Sequence, residues 1–351
     1  SLQDINGVFQ LYVTRDVVGL EVYSYFLSLD VGDCIGVIGV LFKTNIEVVT
    51  LNILSLCVLS KCLRPLPKRW FGLLNKEKCY RNRFLDLIVN DVSKNKFQIR
   101  FKAINYIRSF FFKNDYVDVE TPMLHSIPGG ASARPFITFH NKLNCNLYLR
   151  IAPELYLKRL VIGGFEKIFE INRNFRNEGV SSRHNVEFTM LEFYQCYVDY
   201  NFLMNYTENL IKNVVKKFFS NMEVFYNGNI LFFNCNYKRM SFIESILQFN
   251  SDVNLDILFC KNKLKEILFL KDIIFDNENN LSNLQLKLFD NTVVKNLIQP
   301  TFIIEYPTDV SPLSKRKSFN NFYVERFEFY ICGIEIANGF SELLDSIDQD
   351  V

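Results

Sequence analysis

Two runs with a two-residue period, "KIFEINRNFRNE" (Lys167–Glu178) and "EFTMLEFYQ" (Glu187–Gln195), flank "GVSSRHN", a stretch rich in turn formers. Alternate residues of a strand share a face, so this pattern demands an antiparallel hairpin and hence a sheet to hold it. One face then carries Glu170, Asn172, Asn174, Arg176 and Glu178 beside Phe188, Met190, Glu192, Tyr194 and Cys196. Such a face can hold a nucleotide: a guanidinium forks onto phosphate or carboxylate oxygens and an aromatic ring stacks on a base. A half-buried amphipathic hairpin with no ligand has the same pattern, so both readings stand.

Downstream, "ERFEFYICGIEIANGFSEL" (Glu325–Leu343) repeats the device. If Cys332 and Gly333 form a two-residue turn, Tyr330 faces Glu335 and Glu328 lies diagonally on the same face, close enough for a cation to bridge both carboxylates. Hard oxygen ligands favour Mg²⁺. Two glutamates on a solvated strand also satisfy the pattern. "PGGASARPF" (Pro128–Phe136) is a flexible turn or a place of close backbone approach; lacking GK[ST], it is no P-loop. Glu154, behind Pro153 in "IAPELYLKRL", sits in the first turn of a predicted helix, where dipole complementarity alone would account for it.

At 351 residues the chain is long enough for two domains. Residues 1 to 60 read as short strands, "GVFQLYVTRD", "GDCIGVIGVLFKT" and "IEVVTLNILSLCVLS", in a small-barrel pattern. "CLRPLPKRW" reads as a stiff linker. A helix is predicted from the apolar spacing of "NKFQIRFKAINYIRSFFFKND", then an alternating strand, "YVDVETPML". "LYLRIAPELYLKRLVIGGFEKIFEINRNF" reads as strand, helix, Gly-Gly break and strand, and residues 222–296 as an Asn-rich helical insertion without chemistry. A net charge of +2 confines any RNA contact to a local patch. Nine cysteines without a CxxC pair point to a reducing, cytoplasmic setting, and no apolar run reaches the roughly 18 to 20 residues of a membrane span.

In order and spacing, "ETPML", "PGGASARPF", "YLRIAPELYLKRL", "FEINRNFRNEGVSSRHNVEFTMLEFYQ", "IIEYPTDVSPLSK" and "FEFYICGIEIANGFSEL" resemble the bacterial class II lysyl-tRNA synthetases, as do "LRPLP" and "YRNRFLDLIVN". The resemblance implies an α+β chain. An OB-fold anticodon-binding barrel, incomplete at its front, would occupy residues 1–62 and a linker 63–70. A class II antiparallel sheet flanked by helices would occupy 71–351. It also implies ATP-dependent activation of lysine, transfer to tRNA(Lys), and a homodimer built on "YVDVETPML". Arg176 would grip the α-phosphate and the lysine carboxylate, and Phe188 would stack on adenine beside Glu178, His184 and Asn185. Glu328 and Glu335 would hold Mg²⁺ on the triphosphate. Gly130 and Glu154 match the α-amino site, and Glu192, Tyr194, Asn338 and Glu342 the side-chain pocket. Gln10 is the remaining anticodon candidate.

The family's third motif is not met before Val351, nor is the first barrel strand, so the sequence reads as an internal fragment. A decayed, non-catalytic RNA-binding relative is therefore an alternative expectation. An aspartyl or asparaginyl enzyme would need a cationic or amide-lined pocket where Glu192 and Glu342 stand. A lysine-modifying paralogue would lack the β-rich front.

Overall fold

A computed structural model describes the chain except Asn6, Pro65, residues 67–72, Ser182, Arg183, Asn277, Asp350 and Val351. Most of the expected linker, 63–70, lies outside the described residues. Two compact units are formed, Ser1–Lys102 and Ala103–Val351. No helix among the described residues is long and apolar enough to cross a membrane.

In the first unit, strands Leu2–Gln3, Val8–Tyr12, Val49–Ser60 and Cys34–Lys43 lie side by side in that order. The second and third of these run parallel, and the third and fourth antiparallel. The edges, Leu2–Gln3 and Cys34–Lys43, are not paired to each other, so no closed barrel exists among the described residues. The all-strand reading of residues 1 to 60 also needs correction, because Arg15–Leu27 is a helix kinked at Gly19 (φ 82°). Its valines and tyrosines are strand formers by type. Val18, Val22 and Phe26 nevertheless recur at helical spacing and pack on Ile53 and Leu56 of the sheet, and that burial decides the conformation.

The second unit begins within the helix Asp91–Lys113. Its last turns bury Phe111, whose ring meets those of Phe169 (4.7 Å), Tyr116 (5.0 Å), Phe193 (5.1 Å) and Tyr206 (5.7 Å). This cluster fastens the helix to a three-stranded sheet ordered Glu187–Gln195, Lys167–Phe175, Val117–Asp118. Beneath it the fully buried Arg150 ties neighbouring segments together through Glu170 (2.8 Å) and the carbonyl of Arg173 (2.8 Å).

A second sheet is ordered Lys238–Ser241, Thr301–Ile304, Arg326–Ile331, Ile334–Phe340. The strands of this unit fall into several sheets rather than one, mostly antiparallel as expected, and these two sheets each contain one parallel pairing. In the second, the parallel pair arises because the chain leaves Ser241 through helices and returns at Thr301, the crossover that parallel strands require. Residues 222–296 are accordingly not helical throughout. They open with the hairpin Glu223–Tyr226/Asn229–Phe232 and the strand Lys238–Ser241 before the helices Phe242–Phe249, Leu255–Leu258, Lys261–Leu270 and Leu281–Thr292. Those helices share one core with Ile303, Tyr306 and Tyr330.

Gly339 marks how tightly the last two strands pack. A Cβ there would lie 2.7 Å from the ring of the buried Phe327 across the ladder. Gly339→Ala is expected to destabilise the second unit by about 1–3 kcal/mol through overpacking, read as a lowered denaturant midpoint; an unchanged midpoint would show that the ring can yield.

Candidate active site

The hairpin forms in the register its alternation demands, with Phe188 opposite Asn174, Met190 opposite Asn172 and Glu192 opposite Glu170. Arg176 and Phe188 meet on the polar face, the guanidinium carbon 5.2 Å from the ring centroid. The Arg176 amide donates to the carbonyl of Val186 (2.9 Å), and that of Asn177 to Arg134 (2.8 Å), which docks "PGGASARPF" against the hairpin. Arg176 Nε is buried and finds no partner among the described residues. A buried, unanswered charged donor is costly in a finished core and suits a site awaiting an oxygen ligand. Glu178, His184 and Asn185 are exposed at the loop end, where His184 Nδ1 and Ser181 Oγ are 2.9 Å apart.

Further along the same face lies an acidic cluster. Tyr194 donates its hydroxyl proton to Glu192 Oε1 (2.8 Å). Burial pushes the Glu192 carboxyl up to about 7, with the charges of Glu154 and Glu170 adding to the shift and Tyr194 and Lys158 opposing it. Tyr194 is pushed well above the usual phenol range by burial and by Glu192, Glu154 and Glu342. Glu342 is raised by burial, against which Lys158 acts. Gly130 lies against Glu154. Its φ is +88°, and a Cβ there would stand 3.0 Å from Glu154 Cβ, so both conformation and space require glycine. Gly130, Glu154, Glu192, Tyr194 and Glu342, far apart in sequence, thus gather at one place.

The second hairpin turns at Cys332 (φ 50°) and Gly333 (φ 67°), the backbone of a type I′ turn. Tyr330 faces Glu335 as the two-residue turn dictates, and then the register shifts, so that Glu328 faces Asn338. Glu328 accepts from Arg326 on one oxygen, and from Tyr306 (2.7 Å) and Tyr330 on the other. Glu335 has no such partner among the described residues. The protein around its carboxylate and the charge of Glu328 push it up to about 7, while Arg326 and Arg176 pull it down. Glu335, raised beside the charge of Glu328 and without a hydrogen-bond donor among the described residues, makes with it an oxygen donor set that a divalent cation would relieve, so the pair fits Mg²⁺. No group of three or more metal-ligating side chains occurs among the described residues. Asn338 accepts from Arg326 (3.3 Å) and so stands beside the Glu328 pair. Gln10 lies exposed in the first unit on strand Val8–Tyr12, opposite Thr50.

Sequence reasoning missed Arg326 and Lys158. Both carried a signal: Arg326 shares a strand face with Glu328 two residues on, and Lys158 follows Glu154 by one helical turn.

The description of tRNA synthetases class II (D, K and N) matches residues 75–351. The lysine–tRNA ligase of Buchnera aphidicola subsp. Schizaphis graminum (strain Sg) is 51% identical over 350 residues, covering 99% of this chain and 70% of its own length. That of Vesicomyosocius okutanii subsp. Calyptogena okutanii (strain HA) is 50% identical over 349 residues, with the same coverage. That of Legionella pneumophila (strain Lens) is 49% identical over 348 residues, again covering 99% and 70%. With the hairpin and the acidic cluster described, these matches show that the chain belongs to the class II tRNA synthetases (D, K and N), in the lysine–tRNA ligase family.

Proposed function

We propose that the protein carrying this chain activates lysine with ATP and transfers it to tRNA(Lys). The observation that carries this reading is the gathering of Glu154, Glu192 and Glu342 around Tyr194, the last of which shares the hairpin face of Arg176 and Phe188. Lys158 answers one oxygen of Glu154 and one of Glu342, while Glu192 has no ion pair among the described residues; three partly buried carboxylates around a single ammonium favour a further cationic partner, and lysine brings two ammonium groups. Glu154, with the backbone at Gly130, takes the α-ammonium, while Glu192, Tyr194, Glu342 and Asn338 take the side-chain end. Arg176 holds the substrate carboxylate against the α-phosphate, Phe188 stacks on the adenine, and Glu178, His184 and Asn185 border it. The carboxylate oxygen attacks the α-phosphorus in line as the bond to the bridging oxygen breaks and pyrophosphate departs with the electron pair. A terminal ribose hydroxyl of the tRNA then attacks the carbonyl carbon and AMP leaves. Positioning and charge stabilisation supply the catalysis. Mg²⁺ on Glu328 and Glu335 would neutralise triphosphate charge.

ATP–pyrophosphate exchange by the full-length protein tests this reading. Lysine is expected to drive exchange; exchange driven by aspartate or asparagine and not by lysine would refute it. Glu192 adds a pH signature. Below about 7 its carboxyl is protonated and neutral, and above it the carboxylate is available to an ammonium. Lysine affinity is therefore expected to rise with pH through about 7, with proton release on binding. Glu192→Gln should flatten that profile and weaken lysine about tenfold while sparing an ATP analogue, since only the ionic partner is lost. Titration calorimetry with each ligand checks it; equal weakening of both would make Glu192 a support of the hairpin.

Residues 1–62 are read as an OB-fold anticodon-binding domain with Gln10 on its sheet, 63–70 as linker and 71–351 as the catalytic domain bearing an insertion at 222–296. The first sheet's exposed rings, Phe9, Tyr12 and Phe42, support the RNA-facing role. Exposed Phe112, Val117, Met123 and Leu124 around "YVDVETPML" support a homodimer. Nine free cysteines suit the cytoplasm.

A further inference from the structure

Lys158 has no part in the chemistry above, yet its ammonium lies within the acidic cluster, 2.7 Å from Glu154 Oε1 and 2.9 Å from Glu342 Oε2. Glu154 precedes it by one turn of the helix Glu154–Ile162, whereas Glu342 follows the strand Ile334–Phe340. One side chain thus joins two elements nearly two hundred residues apart, with its Nζ 5.8 Å from the Phe340 centroid. Each carboxylate gives one oxygen to Lys158; Glu154 Oε2 and Glu342 Oε1 accept no hydrogen bond among the described residues. The two oxygens that Lys158 grips can be no further apart than its two bonds laid end to end. Through that shared ammonium the two carboxylate groups are tied to one another, so the placing of one is coupled to the placing of the other.

We propose that Lys158 is a positioning residue that sets the distance between the two carboxylates gripping the ends of the substrate, and thereby the length of diamino acid the pocket accepts. The inference rests on the reading that Glu154 takes the α-ammonium and Glu342 the side-chain ammonium. Without Lys158 the carboxylates repel one another, the spacing relaxes, and a substrate one methylene shorter loses less relative to lysine. A guanidinium at this position keeps the charge but carries a broad planar fork, which holds the carboxylates at a different separation.

The test is ATP–pyrophosphate exchange by the full-length protein and its Lys158→Met and Lys158→Arg variants, with lysine and with ornithine. Lys158→Met is expected to raise the lysine KM about tenfold, with kcat and the ATP KM little changed, and to cut the preference for lysine over ornithine by about tenfold, the scale of one-methylene discrimination. Lys158→Arg is expected to keep the wild-type melting temperature and still lose the preference; it decides the matter if the methionine variant does not fold. A preference unchanged in the folded variants would overturn the role of Lys158 alone. Failure of the unmodified protein to exchange with lysine would overturn the ligase reading and this inference with it.

Discussion

Arg176→Ala is expected to lower lysine-dependent ATP–pyrophosphate exchange about 10²–10³-fold, the scale found when one preorganised donor is taken from a reacting oxygen. The guanidinium is held over Phe188 and its Nε is buried without a partner among the described residues, which leaves its hydrogen-bonding capacity to a ligand. For the same reason the substitution should leave the melting temperature nearly unchanged, since no side-chain hydrogen bond among the described residues is lost. Arg176→Lys should recover only a small part of the activity, because a point charge cannot reproduce a bidentate fork. Near-normal exchange by the alanine variant would mean that the hairpin is only structural.

The largest expected effect on stability is at Arg150. Its Nη1 donates to Glu170 (2.8 Å) and Thr121 Oγ1 (3.0 Å), and both ionic side chains are essentially inaccessible. Arg150→Ala strands a buried carboxylate and is expected to cost about 3–5 kcal/mol. Converting both partners to apolar residues of similar size, Arg150→Met with Glu170→Leu, should regain most of that, because it removes both desolvated charges together. Urea unfolding of the three proteins checks this, and a double variant no better than Arg150→Ala would show that the remaining donors of Thr121 and Asn172 need the Glu170 carboxylate.

Period-two patterning made the first hairpin legible, because a one-residue slip would have turned Phe188 and Glu192 away from Arg176. The turn at Cys332–Gly333 was legible for a similar reason, which placed Tyr330 against Glu335 correctly. Beyond it the same counting fails. The register shift leaves Ile336 unpaired and moves Asn338 onto the face of Glu328, a bulge that alternation cannot foresee. The Arg15–Leu27 helix was hidden by β-branched residues whose conformation is decided by burial against the sheet. The hairpin at 223–232 did announce itself, in the Asn227–Gly228 pair that favours positive φ at both turn positions (47° and 81°). Long-range ion pairs such as Lys158 with Glu342 need the tertiary fold and have no sequence period at all.

The strand Lys238–Ser241 sets a limit on how far a shortened version of this protein could be trimmed. A deletion spanning 222–296 would remove not a surface ornament but the hydrogen-bonded neighbour of Thr301–Ile304, itself the neighbour of the strand bearing Glu328. The helices that follow back Tyr306 and Tyr330 through Phe242 and Phe289, and those two phenols are the donors that aim Glu328. Miniaturising the catalytic unit therefore has to keep both the strand and its helical backing, or supply a substitute wall, before the carboxylate pair can be expected to hold its aim.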